Sequence, residues 1–176
     1  MNAHRLPHFV NGLLLLLLFG GSLWVYPALP EQIPTAIKPG TVHYADKTVL
    51  HWLTGSLFAL GMTAFLYAIT LSEAMTVPLS PHVNFGNRDT YEQLSTPHKQ
   101  VIARLLRTGM YWTCTLFLLI FMRGQIEFYI IAMRSADESI FGWYWGAAEF
   151  GLVLLFALMF FGWWVPRRIE HLAEVE

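Results

Sequence analysis

Cysteine is nearly missing from this chain. The single thiol, Cys114, excludes an internal disulfide and any multi-cysteine metal site. Charge is scarce too: 13% of the residues are Asp, Glu, Lys or Arg, against about 25% in an ordinary soluble domain. The few charges nearly cancel, leaving a formal net of -1. With no basic stripe interleaved with aromatics, nothing supports nucleic-acid binding. There is no HExxH, no phosphate-cradling glycine loop, no Ser-His-Asp spacing and no pair of catalytic carboxylates in a soluble cleft. Nothing here argues for an enzyme or a cofactor, and the chain is read as having neither.

What fills the space is apolar. Of 176 residues, 55% are hydrophobic and 15% aromatic. The expected fold is therefore an all-α integral membrane protein of four transmembrane helices in an antiparallel bundle. The spans fall at about 9–29, 49–71, 108–133 and 141–165. The first follows Arg5 and is leucine-rich, as a signal peptide would be, but it is long enough to span and is read as a retained helix. The chain forms one membrane domain with no room for a separate soluble one.

Between the spans, residues 30–48 read as a polar outer loop carrying Lys38, Pro39, Gly40, His43 and Asp46. Residues 72–95 read as a mixed loop, half apolar around Val77 to Phe85. Ser95-Thr96-Pro97 marks a helix start, with a hydroxyl at the cap and proline in the first turn. The segment 84–107 is expected to be cytoplasmic and amphipathic towards its end, and continuous with the third span. Pro166-Arg167-Arg168 is expected to end the fourth span before a short charged tail.

Arg5, Arg88, Lys99, Arg104, Arg107, Arg167 and Arg168 fall on one side of these spans; Lys38, Lys47 and Arg134 fall on the other. The positive-inside rule then places both termini in the cytoplasm of a bacterial inner membrane. Trp24, Tyr26, Trp52, Trp143 and Trp145 lie at outer ends, and Tyr111, Trp112, Trp163 and Trp164 at inner ends, as two interfacial belts.

Three ionisable residues fall inside the spans: Arg123, Glu127 and Glu149. A rise of about 1.5 Å per residue puts all three roughly 8 to 13 Å below the outer surface. An unpaired charge at the bilayer centre costs about 2.5 to 3.5 kcal/mol on insertion scales, so mutual pairing is expected. One reading is an ionic staple between the third and fourth helices, the commoner origin of such residues. The other is a polar, outward-opening cavity for a cation, a proton or a peptide group. Gly142-x-x-x-Gly146 and Ala147-x-x-x-Gly151 offer small-residue spacings for close packing of the same two helices.

Of the seven histidines, only His51 lies clearly within a span, so bis-histidine haem ligation in the bundle is not supported. His43, Asp46 and His51 suggest a zinc or copper site, but solvated interfacial histidines are the simpler account and no metal site is assigned. Cys114 is read as core filler.

The stretch Tyr26-Pro27-x-Leu29-Pro30-x-x-Ile33-Pro34, with Gly40 and Lys47 before the second span, carries a resemblance. It is similar to a bacterial membrane domain of unknown function at the N-terminus of SdpI-like immunity proteins, which protect producing cells from a secreted toxic peptide. Asn84-Phe85-Gly86-Asn87-Arg88-Asp89-x-Tyr91 resembles that domain's cytoplasmic loop. Where the family motif continues Pro-x-His-Phe, this chain reads Pro34-Thr35-Ala36-Ile37. The resemblance implies an inner-membrane location and a protein that recognises a peptide or membrane-protein partner at its outer face. The rival readings are an accessory subunit of a larger respiratory or transport assembly and, less favoured, an ion or proton pathway. The candidate outer site comprises Arg123, Glu127, Glu149, Tyr26, Pro27, Pro30, Pro34 and His51. Asn84, Asn87, Arg88 and Asp89 form the cytoplasmic motif.

Overall fold

Helix α1 (Arg5–Val25) turns Pro7, Asn11, Leu14, Leu18 and Ser22 inward, a spacing of three or four residues that keeps one face buried. Helix α2 (Val49–Leu71) does the same with Trp52, Ser56, Ala59, Thr63, Leu66 and Thr70. The outward faces carry Phe9, Leu16, Trp24, Leu50, Phe58 and Phe65, all exposed. The interior is thus more polar than the exterior, an arrangement that suits lipid and would aggregate in water. Four stretches, Arg5–Ala28, Val49–Leu71, Thr96–Met133 and Ala148–Glu174, are long and apolar enough to cross a membrane. The computed structural model describes residues 5–38, 41–72, 75, 77, 79, 87–134 and 143–175.

Polar contacts fix the helix order. Asn11 Nδ2 donates to the Tyr67 hydroxyl and to the Tyr111 carbonyl, both at 3.2 Å, and Asn11 Oδ1 accepts from Thr115 Oγ1 at 2.6 Å. Near the other end, Ser22 Oγ and Ser56 Oγ share a hydrogen bond of 3.4 Å, and Trp52 Nε1 donates to the Ser22 carbonyl at 2.8 Å. The start of α1 therefore meets the end of α2, and both pack on α4 (Thr96–Arg134). The fourth long stretch begins as α5 (Trp143–Met159), which packs chiefly on α4. α4 runs antiparallel to α2 and α5 but parallel to α1, which meets Tyr111 and Thr115 through Asn11 and Tyr129 through Val25.

Thr96 and Pro97 open α4 as expected, with the Ser95 carbonyl accepting from the Lys99 amide at 3.0 Å. Residues 96–107 of the amphipathic segment and the third span form one helix.

Other expectations need correction. The region 30–48 is not an irregular loop, and the fold is not purely α-helical. A 3₁₀ turn (Tyr26–Ala28) leads into an antiparallel hairpin of β1 (Gln32–Lys38) and β2 (Thr41–Asp46). The register slips between Pro34 and Ala36, so Pro34, which has no N–H to give, sits beside a bulge. Ile33 is fully buried with Leu29 and Trp52. Lys47 ties the base of the hairpin: its amide donates to the Glu31 carbonyl at 2.6 Å and its Nζ to the Leu29 carbonyl at 2.7 Å.

Within the expected loop 72–95, Arg88–Gln93 form a short helix α3. Pro166 does not end the fourth stretch. The chain passes through a π turn (Phe160–Trp164) into α6 (Val165–Glu174). A wider turn before Pro166 removes the clash between its ring and the carbonyl four residues back, which would otherwise break the helix. The tail is a packed amphipathic helix: Val165, Ile169 and Leu172 join Tyr91, Leu94, Ile102 and Leu106 in a core at the end opposite the hairpin.

Gly142 lies outside the described residues, and a Cβ on Gly151 would meet nothing within 4 Å. The tight contact is at Gly109 of α4, where a Cβ would overlap the Phe160 ring of the π turn. Gly109→Ala is therefore expected to lower the thermal midpoint in detergent, at a cost of about 1 to 3 kcal/mol, despite alanine's better helix propensity. Gly12→Ala, where a Cβ finds open space, should leave the midpoint unchanged or raise it. Equal midpoints for the two variants would show that Phe160 yields freely.

Candidate functional site

The three ionisable residues inside the spans meet. Arg123 and Glu127 are four apart on α4 and share a face, while Glu149 comes from α5. Arg123 Nη1 donates to Glu149 Oε2 at 3.0 Å, and Arg123 Nη2 lies 3.3 Å from Glu127 Oε2. One cation faces two carboxylates, and the Glu127 side chain, 13% exposed, is the most enclosed of the three. Its Oε1 is buried with no hydrogen-bond partner among the described residues.

The cluster forms one wall of a cavity of about 510 Å³ between α2, α4 and α5 beneath β1. Trp52, Phe121 and Phe128 give it aromatic surface, and His51, Thr54, Thr35 and Gln125 give it polar atoms. Two glycines help to make the space. Gly55 of α2 lies opposite Gln125, whose Oε1 would be 3.4 Å from a Cβ there, while a Cβ on Gly124 would meet nothing within 4 Å. Gln125 is held by its own bond, Nε2 to the Trp52 carbonyl at 3.2 Å. The first turn of α2 is capped by Thr48, whose Oγ1 accepts from the His51 amide at 3.1 Å. The His51 ring, with Nδ1 3.2 Å from the Asp46 carbonyl, borders the cavity.

Pro34 and His51 of the expected site thus lie at the cavity with the ionic cluster. Tyr26, Pro27 and Pro30 do not line it. Tyr26 is half-buried against the Leu29–Ile33–Trp52 cluster with Lys47 Nζ 5.4 Å from its ring centroid, and the two prolines are exposed. Tyr26 and Pro27 belong to the 3₁₀ turn by which the chain leaves α1. Gln125, Thr35, Gly55 and Gly124 were missed. Gln125 had a readable signal as a polar side chain in a span, whereas the two glycines are informative only once α2 and α4 are known to face each other.

The cytoplasmic-motif residues lie at the opposite end. Asn87, in left-handed conformation (φ 62°), donates from Nδ2 to Glu170 Oε1 of α6 at 2.6 Å. Arg88 pairs with Glu92 at 2.9 Å and donates to the Leu79 carbonyl at 3.0 Å. Asp89 is exposed in the first turn of α3. Asn84 lies outside the described residues. This group fastens α3 and the preceding chain to α6 and lines no part of the cavity. Among the described residues no three His, Cys, Asp or Glu side chains come together as a metal site. Comparison with protein-family models, curated proteins and solved structures gives no match.

Breaking the cluster from its cationic side should be costly. Arg123→Met leaves two carboxylates facing each other in a low-dielectric seam, with an expected loss of about 3 to 5 kcal/mol. The triple variant with Glu127→Gln and Glu149→Gln as well should recover most of it. Thermal midpoints of the detergent-solubilised proteins check this, and a triple variant no better than the single one would mean that packing of the arginine stem, not charge, is what matters.

Proposed function

We propose that the chain is a small partner-binding protein of a bacterial inner membrane, with both termini in the cytoplasm, of the immunity or sensor type. In this reading it takes a cationic group of a peptide into the cavity beneath the hairpin, at its outer face. The observation that carries the proposal is the cavity itself, with one arginine against two glutamates on its wall. A volume of about 510 Å³ suits a ligand group, since such sites run from about 300 to 1,000 Å³. The carboxylate excess favours a positive charge, and the aromatic lining of Trp52 and Phe121 is suited to cation–π attraction. The Lys and Arg distribution supports the orientation, and Leu29 and Ile33, within the stretch that carries the resemblance to SdpI-like proteins, are buried with Trp52 beneath the strand that roofs the cavity.

The accessory-subunit reading draws on the exposed apolar face of α5, with Leu152, Leu154, Leu155 and Leu158. Lipid covers such a face as readily as a foreign helix does, so the cavity is the stronger ground.

The test uses the full chain in nanodiscs of zwitterionic lipid, titrated with a short peptide of one N-terminal lysine followed by four serines, and with its glutamate counterpart. Native protein should bind the lysine peptide only. Glu149→Gln should weaken binding about 10-fold or more, as expected for loss of a charge-assisted hydrogen bond worth about 1.5 to 3 kcal/mol. Gly124→Leu, which points into open cavity, should abolish binding while leaving the thermal midpoint unchanged. Equal binding of both peptides, or undiminished binding by Gly124→Leu, overturns the proposal.

A further inference from the structure

The charged cavity does not end at Glu149. A second cavity, of about 380 Å³, begins at the same residue and runs down the seam between α4 and α5. The two share Ile120 and Glu149. On α5 the shared groove is bordered by Glu149, Leu152, Val153 and Phe156, with Val153 buried against α4 and Leu152 exposed at the outer rim. On α4 it is bordered by Leu116, Leu119 and Ile120. Apart from Glu149 every described side chain that lines it is apolar. Its length along α5, seven residues from Glu149 to Phe156, is roughly 10 Å at about 1.5 Å per residue.

A polar chamber with excess negative charge near the membrane surface therefore opens into an apolar trough pointing towards the bilayer centre. The flank is accessible from the side, because α5 rests chiefly on α4 and Leu152 is 65% exposed. A soluble cation has no use for such a trough. A molecule with a positive head and an apolar body fits both parts at once, in the orientation that it already adopts at a membrane surface.

We infer that the ligand of the chamber is a basic hydrophobic peptide that enters sideways from the outer leaflet, its cationic end at Glu127 and Glu149 and its apolar residues along the α4–α5 groove. This rests on the chamber being a binding site for a cationic group. The charge of the cluster selects the head, and the groove selects the residues that follow it.

The experiment compares two peptides on the full chain in zwitterionic nanodiscs, with empty discs subtracted. One has an N-terminal lysine followed by four leucines; the other has the lysine followed by four serines. The leucine peptide should bind at least 10-fold more tightly. Leu152→Trp, placed on an exposed position of the groove, should bring its affinity down to that of the serine peptide and leave the serine peptide unaffected. Leu116→Trp, from the opposite wall, should do the same. If the two peptides bind native protein equally well, the groove takes no part and the inference falls while the chamber reading stands. If neither binds, both fall. Should a leucine peptide headed by glutamate bind as tightly as the lysine one, the groove is a lipid-chain site without charge selection, and the inference is overturned.

Discussion

Inside a hydrocarbon layer, burying an apolar side chain against another helix gains little over leaving it against lipid, and every detail of this bundle answers to that constraint. What discriminates inside from outside is polarity and size. Asn11, Ser22, Ser56, Thr63, Thr113 and Thr115 are buried, and most of them are hydrogen-bonded to another helix or to their own backbone. Such interhelical bonds average about 0.6 kcal/mol each in membrane proteins. They are weak singly, but Asn11 alone joins α1 to both α2 and α4. Leucine, the commonest residue of the first span, mostly faces outward and decides little about how the helices meet.

The same constraint explains where the structure is tight and where it is open. Helix α4 is the central post, touching α1, α2, α5 and the hairpin. Polar bonds hold α1 and α2 to it, and at Gly109 the missing side chain lets the Phe160 ring lie against its backbone. Beneath the hairpin a cavity lies between α2, α4 and α5, and Gly55 and Gly124 on its lining bring no side chain to fill it. The hairpin roofs this cavity, fixed by Ile33 beneath and by Lys47 at its base. A cavity so made needs no flexible lid.

Much of the fold was legible in the sequence because apolar run length and hydropathy are direct consequences of bilayer thickness. The four stretches and the continuity of α4 through Thr96-Pro97 follow from such local chemistry. The hairpin did not, although Thr41-Val42-His43-Tyr44 is rich in β-branched and aromatic residues and follows a Pro-Gly pair. Prolines at positions 30 and 34 obscured it, since a bulge that tolerates Pro34 is visible only in the register. Pro166 misled for the opposite reason: its rule holds for a regular helix, and a π turn precedes it here. The ionic cluster was legible in composition and depth. The cavity was not, because its volume is set by glycines on two different helices.

The composition of that cluster bears on staple against binding site. Arg123–Glu149 joins α4 to α5 and would suffice as a staple. Among the described residues Glu127 joins no second element: it lies four residues from Arg123 on the same helix, and an ion pair at that spacing ties α4 only to itself. Its carboxylate, with one oxygen buried and without a hydrogen-bond partner among the described residues, adds a desolvation cost that Arg123, already engaged with Glu149, offsets only in part. A purely structural seam would be better served by leucine at that position. A second carboxylate is useful where a further positive charge arrives from outside, and the wall it occupies is the wall of the cavity. Glu127, the residue that the staple leaves without a role, is the one that the binding reading requires.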